Sequence, residues 1–160
     1  MPSCSRATTT GRALVIVSAF KFKTFPEYGE HFHSDVAWHE PPGKGHGQNI
    51  LTVEIDERYR TDAVKCAEST VRELATEEEL DLANLDMLIA TASVRGFASA
   101  LAQSLGTKAA RIVALPDGLA HAHTAALAIA LESVQLADSR TAVLVCAGAG
   151  MTVVAALYRP

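Results

Sequence analysis

Arg111-Ile-Val-Ala-Leu-Pro116 opens, and Leu144-Val-Cys-Ala-Gly-Ala-Gly-Met-Thr-Val-Val-Ala-Ala-Leu-Tyr-Arg159 closes, the segment on which the fold turns. Between them lie a Gly/His-rich turn carrying His121 and His123 and an Ala/Leu-rich stretch that reads as a helix to about Ala137. Arg111 to Leu115 reads as a short strand stopped by Pro116. Arg140 to Ala147 and Met151 to Arg159 read as two apolar strands, antiparallel because so few residues join them. The joint, Ala147-Gly148-Ala149-Gly150, consists of small residues. They let the backbone turn sharply with its N–H groups free to face something else.

The residues upstream extend the same alternation. Asp86-Met-Leu-Ile-Ala-Thr-Ala92 reads as a buried strand and Val94 to Leu105 as a helix closed by Gly106. Asp56 to Ala75 is a helix by the spacing of Tyr59, Ala63, Cys66, Ala67, Thr70, Val71 and Leu74. Glu77 to Leu85 is an acidic turn with a short helical piece, its Glu77-Glu-Glu79 run a solvated cap. Asn49 to Ile55 alternates as a short strand. Arg12 to Ala19 is a β-branched run that suits a strand buried on both faces. From Phe20 to Gln48, Pro26, Pro41, Pro42 and the histidines His31, His33, His39 and His46 break any period, so this reads as a long His-rich loop. Residues 1–11 read as a flexible arm before a single domain over 12–160. Strands alternating with helices predict an α/β fold in βαβαβαββ order. Its sheet is expected to be mixed, mostly parallel and five-stranded, covered by helices.

Composition bounds the function. A 160-residue chain buries roughly 68–70% of its unfolded surface, enough for a real core. With 49% hydrophobic and 20% charged residues it is globular, and its net charge of −4 argues against a nucleic-acid partner. No apolar run without charges is long enough to cross a bilayer. The amino-terminal residues lack the apolar core of a secretory signal. Cys4, Cys66 and Cys146 are odd in number and widely spaced, which suits reduced thiols and a cytoplasmic location.

In the order of these elements, and above all in Leu144 to Arg159, the chain resembles the C-terminal half of the β-ketoacyl-acyl-carrier-protein synthase III family, of thiolase fold. Leu82-Ala-Asn-Leu-Asp-Met-Leu-Ile89 is similar to the family's approach to its catalytic-histidine strand. Arg95 to Gly106 is similar to the helix that follows, and Ala122 to Leu131 to the helix after its catalytic Asn. The resemblance implies half of a thiolase-like fold. The half of the family that carries the nucleophilic Cys has no counterpart here, so the expected state is a separate subunit. The resemblance places Thr91 where the family has its catalytic His, and His121, preceded by Ala120, where it has its Asn. Those two residues donate to a thioester carbonyl as charge develops on it. Thr91 is a weaker donor, whereas His121 can donate or act as a base near neutral pH.

Each candidate has a plainer reading beside it. His121 is a base or oxyanion donor, or a helix-terminal His without chemistry; His123 shapes the helix start. Ala147, Gly148, Ala149 and Gly150 present a backbone N–H to a thioester oxygen, or form only a tight turn. Cys146, inside an apolar strand, reads as a core residue with little thiolate, and Cys66 as helix packing. His31, His33, His39 and His46 are a zinc set, a solvated loop, or a cover for a pantetheine arm or a partner. The stretch around Thr124, Leu127, Ala128 and Leu131 has almost no polar face and is expected to meet a partner.

The expected function is therefore that of one subunit of a split, synthase III-like acyltransferase or condensing enzyme in fatty-acid-like or polyketide natural-product assembly. Its partner is an N-terminal-half protein bearing the Cys. Its substrate is a thioester of coenzyme A or acyl carrier protein, with neither cofactor nor metal. The alternatives are a catalytically inactive structural partner of a synthase and a homodimeric acyl-ligand-binding protein.

Overall fold

A computed structural model describes residues 17–40, 47–109, 111–115, 119, 125–134 and 141–159. Strands β1 (Val17–Thr24), β2 (Phe32–His39) and β3 (Gln48–Ile55) precede helix α1 (Tyr59–Glu77). Then come β4 (Met87–Ala92), α2 (Phe97–Leu105), β5 (Arg111–Val113), α3 (Ala126–Glu132), β6 (Ala142–Gly148) and β7 (Thr152–Tyr158). One five-stranded sheet has the order β1-β7-β6-β4-β5. β4 is parallel to β5 and β6, and β7 is antiparallel to β6 and β1, so only β7 runs against the others. The expected mixed, mostly parallel five-stranded sheet is the one found.

The side-chain period of 2 sorts the sheet into two faces. Leu88, Ala90 and Ala92 of β4, Val143, Val145 and Ala147 of β6, and Val153, Ala155 and Leu157 of β7 share one core with α1 and α2. Met87, Ile89, Ala142, Leu144 and Tyr158 form the other, packed on Ala130 of α3. Full burial of each Val or Leu stabilises the fold by about 1.5–3 kcal/mol.

Helix α1 forms because Tyr59, Ala63, Cys66, Ala67, Thr70, Val71 and Leu74 make one buried face, as their spacing predicts. Asp56 sets its start: the carboxylate accepts from the Arg58 N–H at 2.7 Å and the Asp56 carbonyl accepts from the Tyr59 N–H at 3.0 Å. Helix α2 ends at Gly106, whose φ of 67° is the left-handed conformation expected of a C-cap glycine. The acidic turn after α1 holds the expected helical piece, a 3-10 turn over Leu82–Asn84 capped by Asp81. Glu78 ends α1 and lies 3.9 Å from the Arg159 guanidinium.

Three expectations are corrected. The segment 20–48 is not an unstructured loop. β1 continues to Thr24, a 3-10 turn spans Pro26–His31, and β2 pairs antiparallel with β3 from Phe32↔Ile55 to His39↔Gln48. The strand read at Arg12 to Ala19 is described only from Val17, and it is not buried on both faces. β1 is an edge strand, with Phe20 and Phe22 at 70% and 61% exposure. Its inward side carries Lys21 and Lys23, which reach Glu73 and Glu77 of α1. Finally, Cys146 is half-buried rather than a core residue. Of the helix expected over His121 to Ala137, the described residues form Ala126–Glu132. The arm at 1–11 lies outside the described residues.

Candidate active site

In sheets of this kind the carboxyl ends of parallel strands face a crevice where the chain order reverses. β4 is that point here: its chain leaves through α2 to β5 on one side, while β6 lies on the other. Two cavities flank its end. One, of about 210 Å³, lies beside the start of α2 and is lined by Thr91, Arg95, Gly96, Ser99, Ala114 and Leu115 among others. The second, of about 180 Å³, is lined by Thr91, Ala92, Ser93, Ala126, Cys146, Ala147, Gly148 and Ala149.

The second cavity brings together Thr91, Ala147, Gly148 and Ala149 of the residues expected at an acyl site, whereas Gly150, expected with them, is not among its lining residues. Thr91 and Cys146 are paired in register across β4 and β6. Thr91 is only 2% exposed, and its hydroxyl donates to the Val145 carbonyl at 3.5 Å, a long bond that leaves it weakly held. Ala147 is buried, while Gly148 and Ala149 form the rim.

The turn beyond is unusual in its backbone. Gly150 has φ 65° and Met151 φ 47°, and a side chain at Met151 is seldom found in that region. Besides the Gly148↔Thr152 pairing of β6 and β7, contacts from two distant residues hold it. The Phe25 N–H donates to the Met151 carbonyl at 3.0 Å, and the Tyr59 hydroxyl donates to the Gly148 carbonyl at 3.1 Å. Met151 is fully buried, which offsets the strain by packing.

Among the described residues, no imidazole and no carboxylate lines this cavity. The described lining supplies a thiol, hydroxyls and backbone amides on an apolar wall. His121, the expected base or donor, lies outside the described residues, as do His123 and Thr124. Of the other residues expected to meet a partner, Leu127 and Leu131 pack against this chain's own core cluster of Met87, Ile89, Ala130, Leu144 and their neighbours, whereas Ala128 is exposed.

The histidines of the 31–46 stretch are separated. His31 Nδ1 lies 3.3 Å from an Asp62 carboxylate oxygen, without hydrogen-bond geometry, in a pocket edged by Tyr28. His33 and His39 share one face of β2, roughly 20 Å apart at strand rise. His46 lies outside the described residues. Among the described residues no three His, Cys, Asp or Glu side chains converge as metal ligands.

Two residues placed at this cavity and its rim are not foreseen from the sequence. The uniformly apolar strand makes Cys146 read as core; only its register opposite Thr91 puts it on the cavity wall. Tyr59 was read as one position of an apolar helix face. A buried Tyr needs a partner for its hydroxyl, and that was the available signal.

Compared by sequence, the chain matches no protein-family model and none of the curated proteins. Compared by structure, it is similar to condensing enzymes. It superposes on 3-oxoacyl-[acyl-carrier-protein] synthase III from Aquifex aeolicus VF5 with a TM-score of 0.63 and 17% identity, covering 90% of this chain and 44% of that one. For β-ketoacyl-[acyl-carrier-protein] synthase III from Thermus thermophilus the TM-score is 0.62 at 16% identity, over 93% and 47% of the two chains. For 1,3,6,8-tetrahydroxynaphthalene synthase of Streptomyces coelicolor A3(2), a bacterial type III polyketide synthase, it is 0.61 at 20% identity, over 91% and 40%. The chain shares their thiolase-like fold and spans less than half the length of each.

Proposed function

We propose that this chain acts in acyl-thioester chemistry as one subunit of a split condensing enzyme or acyltransferase. It would correspond to the C-terminal half of a synthase III-like protein and complete the acyl pocket of a Cys-bearing partner. The observation that carries this reading is the second cavity. It brings Thr91 and the Gly148–Ala149 rim to one apolar hollow at the carboxyl ends of β4 and β6, in a fold shared with condensing enzymes more than twice as long.

In this reading the partner's thiolate attacks the thioester carbonyl, and the tetrahedral oxyanion is stabilised by amide N–H donors of the rim. Collapse expels the thiol of coenzyme A or carrier protein and leaves the acyl group on the partner's Cys. This chain supplies one wall of the hollow and the donors, while His121 serves as donor or base. The exposed Phe20, Phe22 and Ala128 are apolar surface that a second half can cover.

A second reading, an inactive structural partner, is favoured by Thr91: a buried hydroxyl turned to a carbonyl of its own sheet is a poor substitute for a catalytic imidazole. One experiment separates the two. The chain is co-expressed with a synthase-like N-terminal half, the mass of the complex is measured in solution, and acyl transfer from acetyl-coenzyme A is assayed. A one-to-one or two-to-two complex with turnover is expected, and His121→Ala should lower turnover about a hundredfold or more with assembly intact. Assembly with unchanged turnover in the variant supports the structural role. A homodimer that ignores the half-synthase and transfers no acyl group overturns the split-enzyme reading.

A further inference from the structure

Tyr59 stands at the first position of α1 and is fully buried. Its ring packs on Phe32, with centroids 5.7 Å apart, and its hydroxyl donates to the Gly148 carbonyl 89 residues away. Burial pushes the phenol up to about 12, so the hydroxyl keeps its proton, and its role as donor, throughout the neutral range. The bond therefore links the helix on one face of the sheet to the rim of the cavity on the other.

What that bond does follows from peptide geometry. A trans peptide unit is planar, with its C=O and N–H pointing in opposite directions. The carbonyl of the Gly148–Ala149 unit points to Tyr59, on the side of α1. The N–H of the same unit, which belongs to Ala149, points the other way. Gly148 and Ala149 line the cavity together with Thr91 and Cys146, and those two side chains lie on the sheet face away from α1 by the alternation of β4 and β6. The other end of the turn is tied independently, by the Phe25 N–H to the Met151 carbonyl at 3.0 Å. Between the two ties only Gly150 is a residue that turns freely, and it already sits in the left-handed region. Gly148 also pairs with Thr152 at the end of the β6–β7 ladder, and Ala149–Met151 form a 3-10 turn, so the Tyr59 hydroxyl is the side-chain tie that fixes the tilt of the Gly148–Ala149 plane from the α1 side.

We infer that Tyr59 is a positioning residue: its hydroxyl clamps the Gly148–Ala149 peptide so that the Ala149 N–H is presented to the cavity. The clamp is a property of this chain by itself. That the N–H meets the carbonyl oxygen of an acyl thioester rests on the function proposed above.

The test uses the full-length, isotope-labelled chain. Tyr59→Phe keeps the ring against Phe32 and removes only the hydroxyl. In the wild type, the Ala149 N–H residual dipolar coupling should fit a vector directed into the cavity, with no exchange broadening at residues 148–151. In Tyr59→Phe that coupling should change and broadening should appear at those residues alone, while Leu144 and Val145 of β6 keep their couplings. Titration with acetyl-coenzyme A should shift Thr91, Cys146 and Ala149 in the wild type and bind about tenfold more weakly in the variant, the value of one hydrogen bond. A wild-type readout guards against a variant that fails to fold: exchange of the Tyr59 hydroxyl for deuterium should displace the Gly148 carbonyl carbon resonance. An absent isotope shift, or an unchanged Ala149 coupling in the variant, overturns the clamp. A changed coupling with equal affinity overturns presentation of the N–H to the thioester. If the clamp signals appear but acetyl-coenzyme A moves no resonance of the wild-type cavity, either alone or in complex with the synthase-like N-terminal half, the clamp stands and the acyl-thioester reading fails.

Discussion

Cys66 and Cys146 show how differently two thiols are treated by one sheet. Cys66 is buried on α1, and burial pushes its thiol up to about 11, so almost none of it ionises near neutral pH. Cys146 stands half-buried on the wall of the cavity opposite Thr91. A thiol reagent applied to the native Cys4→Ser chain at about pH 8 should therefore modify Cys146 at least about tenfold faster than Cys66. Peptide mass spectrometry at early times measures this. Equal rates would mean that α1 lifts from the sheet as readily as reagent enters the cavity. Cys66 was legible in the sequence because helical spacing already put it on the buried face. The place of Cys146 was not, because every residue around it is apolar and only pairing across β4 and β6 separates core from cavity wall.

At the scale of elements, β1 is joined to α1 by charge. Lys23 and then Lys21 donate to Glu73, whose carboxyl is held below its usual value. Glu68 is likewise lowered, by the Ser104 hydroxyl and then by Arg72, in the link between α1 and α2. A carboxyl lowered by folding adds stability above its unfolded value near 4.5 and loses it as pH falls through the folded one. Both links should thus weaken on acidification below about pH 4.5 and be intact at neutral pH. Glu73→Gln should lower the thermal midpoint at neutral pH by a small amount, on the order of 1–2 °C, because the ion pairs are only partly buried and are screened by solvent. The gap to wild type should close towards pH 3 or so. Thermal scans across that range check it; a gap that persists in acid means Glu73 contributes through packing. The helices themselves were well legible, since α1 and α2 follow the 3.6-residue period and Gly106 ends α2 as glycine does. Of the hairpin, β3 was legible in the alternation of Asn49 to Ile55, but β2 and its pairing were not, because His33 and His39 sit among exposed residues with little apolar alternation.

At the scale of the whole molecule, apolar surface among the described residues stands uncovered on β1 and on the β2–β3 hairpin. Phe20 and Phe22 stand on the outer face of edge strand β1. On the hairpin, Phe32 and Ile55 at the base join the core, but Val36, Leu51 and Trp38 farther out on the same face are exposed. A two-stranded ribbon needs a third element for independent stability. Trp38 is the chain's single tryptophan and is 63% exposed, so its fluorescence reports this face alone. Its emission should move to the blue when the proposed half-synthase binds, and Trp38→Ser should weaken the complex about tenfold or more, as loss of an aromatic anchor does. Unchanged emission on complex formation would place the hairpin outside the interface. Among the described residues no helix is long and apolar enough to cross a membrane.

The sequence by itself determined the order of strands and helices from α1 onward, the turn at Gly148–Gly150 and the thiolase-like fold, because these follow from local period, small-residue turns and a recognisable pattern. It also brought Thr91 and the Gly148–Ala149 rim into consideration. Only the tertiary structure decided that Thr91 faces Cys146, that the sheet ends in two cavities, and that Tyr59 reaches the Gly148 carbonyl. Those facts depend on register between strands and on a contact between residues 59 and 148, and no local pattern encodes either. A shift of one residue in the register of β6 would turn Cys146 to the other face and remove it from the cavity wall.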